Sequence, residues 1–228
     1  MGHGGALMAG EDTPQNGPEN ADQAQQTPNP EQQAVAEAAA GVELVVLPIA
    51  CVNQGKGAPL GMGVQRWWAQ EVSKAGGAAA APVFTALADH QGRKVPALMV
   101  YQDAWTDERA KEGIDKFPNA KQAVLTDLSV ADDGVELKAK LVSVDDGALT
   151  SQANWSHKCS SEELPAKLFE VLTELSARAG HKVEHASWQE AFGTENTQAM
   201  LSFLVGLGNL SALQGRCVRQ PGSPGLWP

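Results

Sequence analysis

The sequence is poor in cysteine and aromatics, has no Lys or Arg before position 41 and contains no long apolar run, and each scarcity excludes a class of protein. Cys51, Cys159 and Cys217 are odd in number, far apart and free of any CxxC pair, so neither a disulfide framework nor a zinc cluster is indicated, and buried or free thiols are expected. No stretch approaches the roughly 18 apolar residues of a membrane-spanning helix. Met1 to Gly10 lacks both Lys or Arg and the apolar centre of a signal peptide. The chain as written is therefore expected in the cytoplasm, or in the periplasm or cell envelope if a leader precedes it. Ala6 stands where a myristoylation signal needs Ser or Thr.

The charge is unevenly spread. Glu11, Asp12, Glu19, Asp22, Glu31 and Glu37 supply six of the ten net negative charges, leaving a mildly acidic body with no basic stripe. Nucleic acid and anionic lipid are not expected partners. Residues 9–33 consist mostly of Gln, Asn, Pro, Glu and Gly, too little apolar surface to offset the entropy of ordering, so 1–40 reads as a disordered acidic tail. Ala34 to Ala40 suit a helical turn that Gly41 stops.

The chain beyond Gly41 is patterned. Val42 to Ile49 is a β-branched, nearly continuous apolar run, the mark of an interior strand buried on both faces. After the loop Asn53–Gly63, Val64, Trp67, Trp68, Val72 and Ala75 make one stripe of a helix ended by Gly76-Gly77, with Trp67 in the core and Trp68 half exposed. Between Ala78 and Tyr101 the spacing predicts a short helix opened by Pro82 and either a strand or a buried helical turn over Val95–Tyr101. Thr106, followed by Asp107 and Glu108, caps a helix to about Phe117, and its charged side chains read as a solvated face. Strict alternation over 121–157, broken by Asp133-Gly134 and Asp146-Gly147, predicts a three-strand antiparallel meander; Val124, Thr126, Leu128 and Val130 share a face, and Val135, Leu137, Ala139 and Leu141 point inward. Ser160 and Glu163 form a capping box before a helix with the stripe Leu164, Leu168, Val171, Leu172 and Leu175.

The expected fold is α/β, a mixed sheet with an antiparallel three-strand meander flanked by helices, followed by a short helical segment. The expected divisions are the tail 1–40, a sheet domain over 41–180, helices over 186–214 and a disordered end over 215–228. Val45, Leu47, Trp67, Leu137, Leu141, Leu168 and Leu172 are expected in the core.

An apolar strand ending in Leu47-Pro48, a Gly/Pro loop, a helix, and then QAVLTDLSVADDGVELKAKLVSVDDGALTSQANW before another helix resembles the TolB amino-terminal-type domain. Related versions occur in the curli-secretion lipoprotein CsgG, the flagellar assembly protein FlgO and bacterial proteins carrying tetratricopeptide repeats. Val124, Leu125, Gly134, Val135, Leu137, Ala139, Leu141, Asp146, Gly147 and Trp155 carry the likeness over about 42–178, and Asp127 departs from it where the family often has Gly. The resemblance implies a non-enzymatic interaction or assembly module of a bacterial repeat-containing scaffold, with a protein or peptide partner, possible self-association, and no catalytic residue, metal or cofactor. The pore-forming members need long amphipathic hairpins, for which this meander is too short. Ala191, Phe192, Ala199, Met200, Phe203, Leu204 and Leu207 have the helical spacing with which a tetratricopeptide-type array begins, so the chain reads as a fragment that stops where such an array starts.

Two other chemistries are open to the residues. Gly55, Lys56, Gly57, Gly61 and Gly63 lie between a strand and a helix, where backbone N–H groups bind anions, but Gly57 replaces the Ser or Thr of a Walker A loop and Ala50 its first glycine. His181, Glu184 and His185 match the H-x-x-E-H arrangement, which on a helix sets both imidazoles on one face for a hydrolytic metal. A flexible connection and a solvated linker are the preferred readings of the two. Ser156, His157 and Cys159 alternate across a strand end and do not form a nucleophile–base pair by spacing.

Overall fold

The computed structural model describes residues 37–52, 57–131, 134–145 and 147–216. In chain order the elements are β1 (Leu44–Val46), β2 (Ala50–Val52), α1 (Ala58–Lys74), β3 (Ala79–Ala80), β4 (Thr85–His90), β5 (Arg93–Leu98), α2 (Asp107–Ile114), β6 (Gln122–Ala131), β7 (Gly134–Asp145), β8 (Ala148–Cys159), α3 (Leu164–Arg178), α4 (Trp188–Phe192) and α5 (Thr197–Arg216). The fold is α/β with a mixed sheet: β3, β1, β6, β7 and β8 lie side by side, β2 continues the line of β1 along β6, and β4 and β5 form a separate hairpin.

The apolar run at Val42–Ile49 becomes two strands because of Pro48. β1 pairs in parallel with β6 through Val46↔Val124, and pairing resumes at Ala50↔Asp127. Leu47, Pro48 and Ile49 thus span what Leu125 and Thr126 span on the partner, a bulge at the residue that has no N–H to donate. The strand pair is buried on both faces: Leu44 and Val46 point to one apolar core, Val45 and Leu47 to another. The larger core holds α1, α3 and α5 against the sheet, and the smaller holds Ala110 and Ile114 of α2 with Phe84.

The meander folds as its alternation predicts, with Leu137 opposite Leu128 and Ala139 opposite both Thr126 and Trp155. The capping box is formed: Glu163 Oε2 accepts from the Ser160 N–H at 2.9 Å, and the Glu163 N–H donates to Ser160 Oγ at 3.3 Å. All seven residues expected in the core are there. Residues 78–101 take the strand alternative over Val95–Leu98, within β5, and lack the helix expected at Pro82. They hold no helix but the short edge strand β3 and the hairpin, whose Gln91 (φ 53°) and Gly92 (φ 77°) make the primed two-residue turn that matches strand twist. Trp68 also differs, being wholly buried with Trp67 because helices cover α1 on the side away from the sheet as well.

That second cover is α5, whose Met200 and Leu204 join the same core as Trp67 and Leu168. Glycine permits it. A methyl group on Gly63 would fall on the carbonyl of Leu204, and one on Gly208 on the carbonyl of Pro59, so the helix backbones are in contact at the crossing. Phe192 closes the end, its ring 4.9 Å from that of Trp67 and 5.7 Å from that of Phe203. Gly206 on the outer side of α5 has open space around it. Urea unfolding separates the two kinds of glycine: Gly63→Ala is expected to lower stability by about 1–3 kcal/mol through forced separation of the helices, whereas Gly206→Ala is expected to raise it by up to about 1 kcal/mol through helix propensity.

Candidate binding groove

α1 carries Pro59 in its first turn, where it costs no hydrogen bond, and Gly57 N-caps the helix without a side-chain contact. Its stripe of Val64, Trp67, Trp68 and Val72 is spent on the core. The flank that remains, Met62, Gln65, Arg66, Ala69, Gln70 and Ser73, looks across a groove of about 1040 Å³. The far wall is an extended stretch whose alternate residues Ala79, Ala81, Val83 and Thr85 face it, and Ser211 of α5 closes one end.

Gln65 holds the two walls together. Its side chain is buried, and its Nε2 donates to the carbonyl of Val46 at 2.8 Å and to that of Pro82 at 2.9 Å. Arg66 Nη1 donates to Ser211 Oγ at 3.1 Å, and that hydroxyl donates on to the Leu207 carbonyl at 2.9 Å, which ties α1 to α5 beside the groove. At the opposite end Lys74 reaches Glu71 Oε1 at 2.7 Å, a carboxylate that is itself buried. The groove therefore offers small apolar steps on one wall and amide, hydroxyl and cationic groups on the other. β3 pairs with β1 on one side only and ends the sheet, so among the described residues no strand lies against its outer edge.

Of the glycine loop, the structure describes Gly57, Gly61 and Gly63. Gly55 and Lys56 lie outside the described residues. Gly61 and Gly63 are inside α1 rather than before it, Gly61 against Ile49 and Cys51 and Gly63 against α5, so their lack of side chains serves packing. The histidine segment is not a helix. His181 and His185 are half-buried and Glu184 exposed in irregular backbone, so the shared helical face that metal binding required is not formed. His185 Nε2 instead lies 3.9 Å from Glu71 Oε2, and the His181 ring sits over Gly77. Among the described residues no three His, Cys, Asp or Glu side chains are grouped as metal ligands, and no helix is long and apolar enough to cross a membrane.

The two described thiols are pushed toward their protonated forms. Burial pushes Cys51 up to about 11, and burial followed by the neighbouring Glu163 carboxylate raises Cys159. The charged face of α2 is solvated as expected at Asp107, Glu108, Lys111 and Glu112, while Arg109 is half-buried, its guanidinium 5.1 Å from the ring centre of Tyr101 and 5.6 Å from that of Trp105.

The groove itself was not marked by any motif. The one signal for it is the run of small residues at alternate positions from Ala79 to Thr85, together with a glutamine on the otherwise apolar face of α1. No protein-family model matches the chain and no curated protein is similar to it, so the chemistry of the groove is read from these residues alone.

Asp127, on β6, anchors the loop on the sheet's second face. Its Oδ1 accepts from the Trp105 N–H at 3.1 Å, while Trp105 Nε1 donates to the Pro48 carbonyl at 2.8 Å, so one loop residue locks both β6 and the bulge. Desolvation raises the Asp127 carboxyl above the usual range, opposed by the Trp105 N–H and then by Lys138 and Arg109. The folded chain therefore binds this proton more tightly than the unfolded chain, and ionisation of Asp127 costs stability at neutral pH. Asp127→Asn keeps an acceptor for Trp105 and removes the charge. Its melting temperature relative to the parent is expected to be highest at pH 7 and to lose that advantage as pH falls through the aspartate range, where Asp127 is itself neutral; a thermal series from pH 7 to pH 3 measures this.

Proposed function

We propose that the chain is a non-enzymatic interaction module whose groove takes an extended segment of a protein or peptide partner. The observation that carries the reading is the placing of α1 beside an unpaired sheet edge, with Ala79, Ala81, Val83 and Thr85 stepping along the wall at strand period. A segment laid against that edge gains main-chain hydrogen bonds, and its alternate side chains enter the space between edge and helix, the arrangement of β-strand addition. Small wall residues leave room for larger side chains on the partner. Gln70 brings a polar group to the open side, and Ser73 Oγ, which donates to the Ala79 carbonyl at 3.4 Å, bridges the two walls.

The reading agrees with the resemblance to TolB amino-terminal-type domains, and it makes the protein a bacterial scaffold that recognises a partner at the groove and orients helices of tetratricopeptide type after the sheet. Gln65 gives the groove its preorganisation, because both walls are held before any partner arrives.

A panel of extended peptides titrated into isotope-labelled protein tests it. Amide shifts are expected to concentrate at Ala79, Ala81 and Thr85 and along Arg66–Ser73. Gln70→Trp fills the groove from an exposed position and is expected to weaken binding at least about tenfold, with an unchanged far-ultraviolet circular dichroism spectrum. Shifts confined to other surfaces, or full binding by the Trp variant, overturn the reading.

A further inference from the structure

Among the described residues the hairpin of β4 and β5 is the one pair of strands that stands off the main sheet, and every residue of β4 is exposed. A two-stranded hairpin alone in water is marginal. This one nonetheless carries Leu87 at 62% exposure and apolar residues on both faces, with Leu87, Pro96 and Leu98 on one and Ala86, Ala88, Val95 and Ala97 on the other.

The hydrogen-bond parity of the hairpin decides which of its edges is open. The two-residue turn makes His90 and Arg93 a bonded pair, and the Met99 N–H, which donates to the Phe84 carbonyl at 2.8 Å, continues the same parity at the base. Between them Ala88–Val95 and Ala86–Ala97 are bonded pairs. Thr85, Leu87 and Asp89 therefore turn their N–H and C=O groups away from β5, and Lys94, Pro96 and Leu98 turn theirs away from β4. Pro96 has no N–H, so it costs the hairpin nothing where it stands but blocks the outer edge of β5. β5 also lies beside α5. One edge is left, that of β4.

We propose that two copies of the chain join along β4, edge to edge and antiparallel, into a four-stranded sheet with its two-fold axis at Leu87. The outward groups of β4 fit those of a second β4. Centred on Leu87, the register sets Leu87 on the partner copy's Leu87, Thr85 opposite the partner's Asp89, where the hydroxyl donates to the carboxylate, and Ala86 opposite the partner's Ala88 on the other face. Each outward pair exchanges both backbone bonds. Moving the axis to Ala88 sets Leu87 against Asp89, and moving it to Ala86 sets Asp89 against Val83, so only the Leu87 register matches apolar with apolar and polar with polar. The two Asp89 carboxylates, each already near Lys94 of its own hairpin at 3.6 Å, lie at opposite ends of the pairing. Pro96 on both outer edges ends the sheet at four strands, which gives a closed dimer and not a fibre. The contact is short, so the dimer is of the weak, concentration-dependent class. It uses the backbone edge of 85–89 and does not rest on the groove reading.

The test is register-specific cross-linking in the full chain with Cys159→Ser and Cys217→Ser as background. Leu87→Cys is expected to oxidise to a disulfide dimer. Asp89→Cys alone is not, because its neighbour across the axis is Thr85, whereas a mixture of Thr85→Cys and Asp89→Cys chains is. By sedimentation velocity the parent is expected to pass from monomer to dimer as concentration rises. Leu87→Pro, which repeats on β4 what Pro96 does on β5, and Leu87→Lys are both expected to stay monomeric with unchanged circular dichroism. A parent that remains monomeric to about 1 mM, equal cross-linking of the Leu87 and Asp89 variants, or a dimer that survives both Leu87 substitutions overturns the proposal.

Discussion

The contact between the backbones of α1 and α5 at Gly63 and Gly208 is what the rest of the molecule is arranged around. Two helices that approach this closely exclude side chains from the crossing, and the apolar groups beside it, Trp67, Met200, Leu204 and Val64, are thereby pressed into one core with the sheet. The crossing sandwiches α1 between the sheet and a helix. Its apolar face becomes wider than a single stripe, Trp68 is buried with Trp67, and the flank left over is narrow enough to serve as one wall of a groove.

The second wall depends on a buried amide. Gln65 lies in a region where an unpaired polar group is costly, and both of its observed donor contacts go to carbonyls on chain segments that are not otherwise held to α1 by secondary structure. Pro82 offers a carbonyl and no competing N–H, which suits it to end the edge stretch against this side chain. On the opposite face of the sheet Trp105 plays a comparable part, bridging Asp127 and the Pro48 carbonyl, so the bulge is covered on one side by a helix and on the other by an anchored loop. Several ionisable groups among the described residues are also occupied in specific contacts. Lys140 meets Asp107, Lys121 meets Glu43, and Glu174 accepts from the Trp155 indole at 2.7 Å.

Much of the fold was legible because it is local. The meander announces itself by a period of two, the capping box by two residues three positions apart, and α3 by a stripe that packs as written. The less legible parts are those in which local pattern is ambiguous. Glycines at Gly61 and Gly63 suit an anion loop and a helix crossing equally well until the partner backbone is known, and two histidines four apart share a face only if the segment between them is helical. Residues 78–101 have too few apolar positions in any one period. Their hairpin depends on the turn at Gln91-Gly92, which is not one of the strong turn pairs.

The sequence by itself determined an α/β chain with a mixed sheet, the faces of β6 and β7, the two capped helices and the core positions from Val45 to Leu172, since each of these depends on the spacing of neighbours along the chain. Only the tertiary structure decided that Gly63 and Gly208 serve a helix crossing, that Asp127 holds a loop, that Gln65 joins two walls into a groove and that β4 is left with an open edge. Those four depend on contacts between residues far apart in sequence, and a side chain's role there is set by what the fold brings against it.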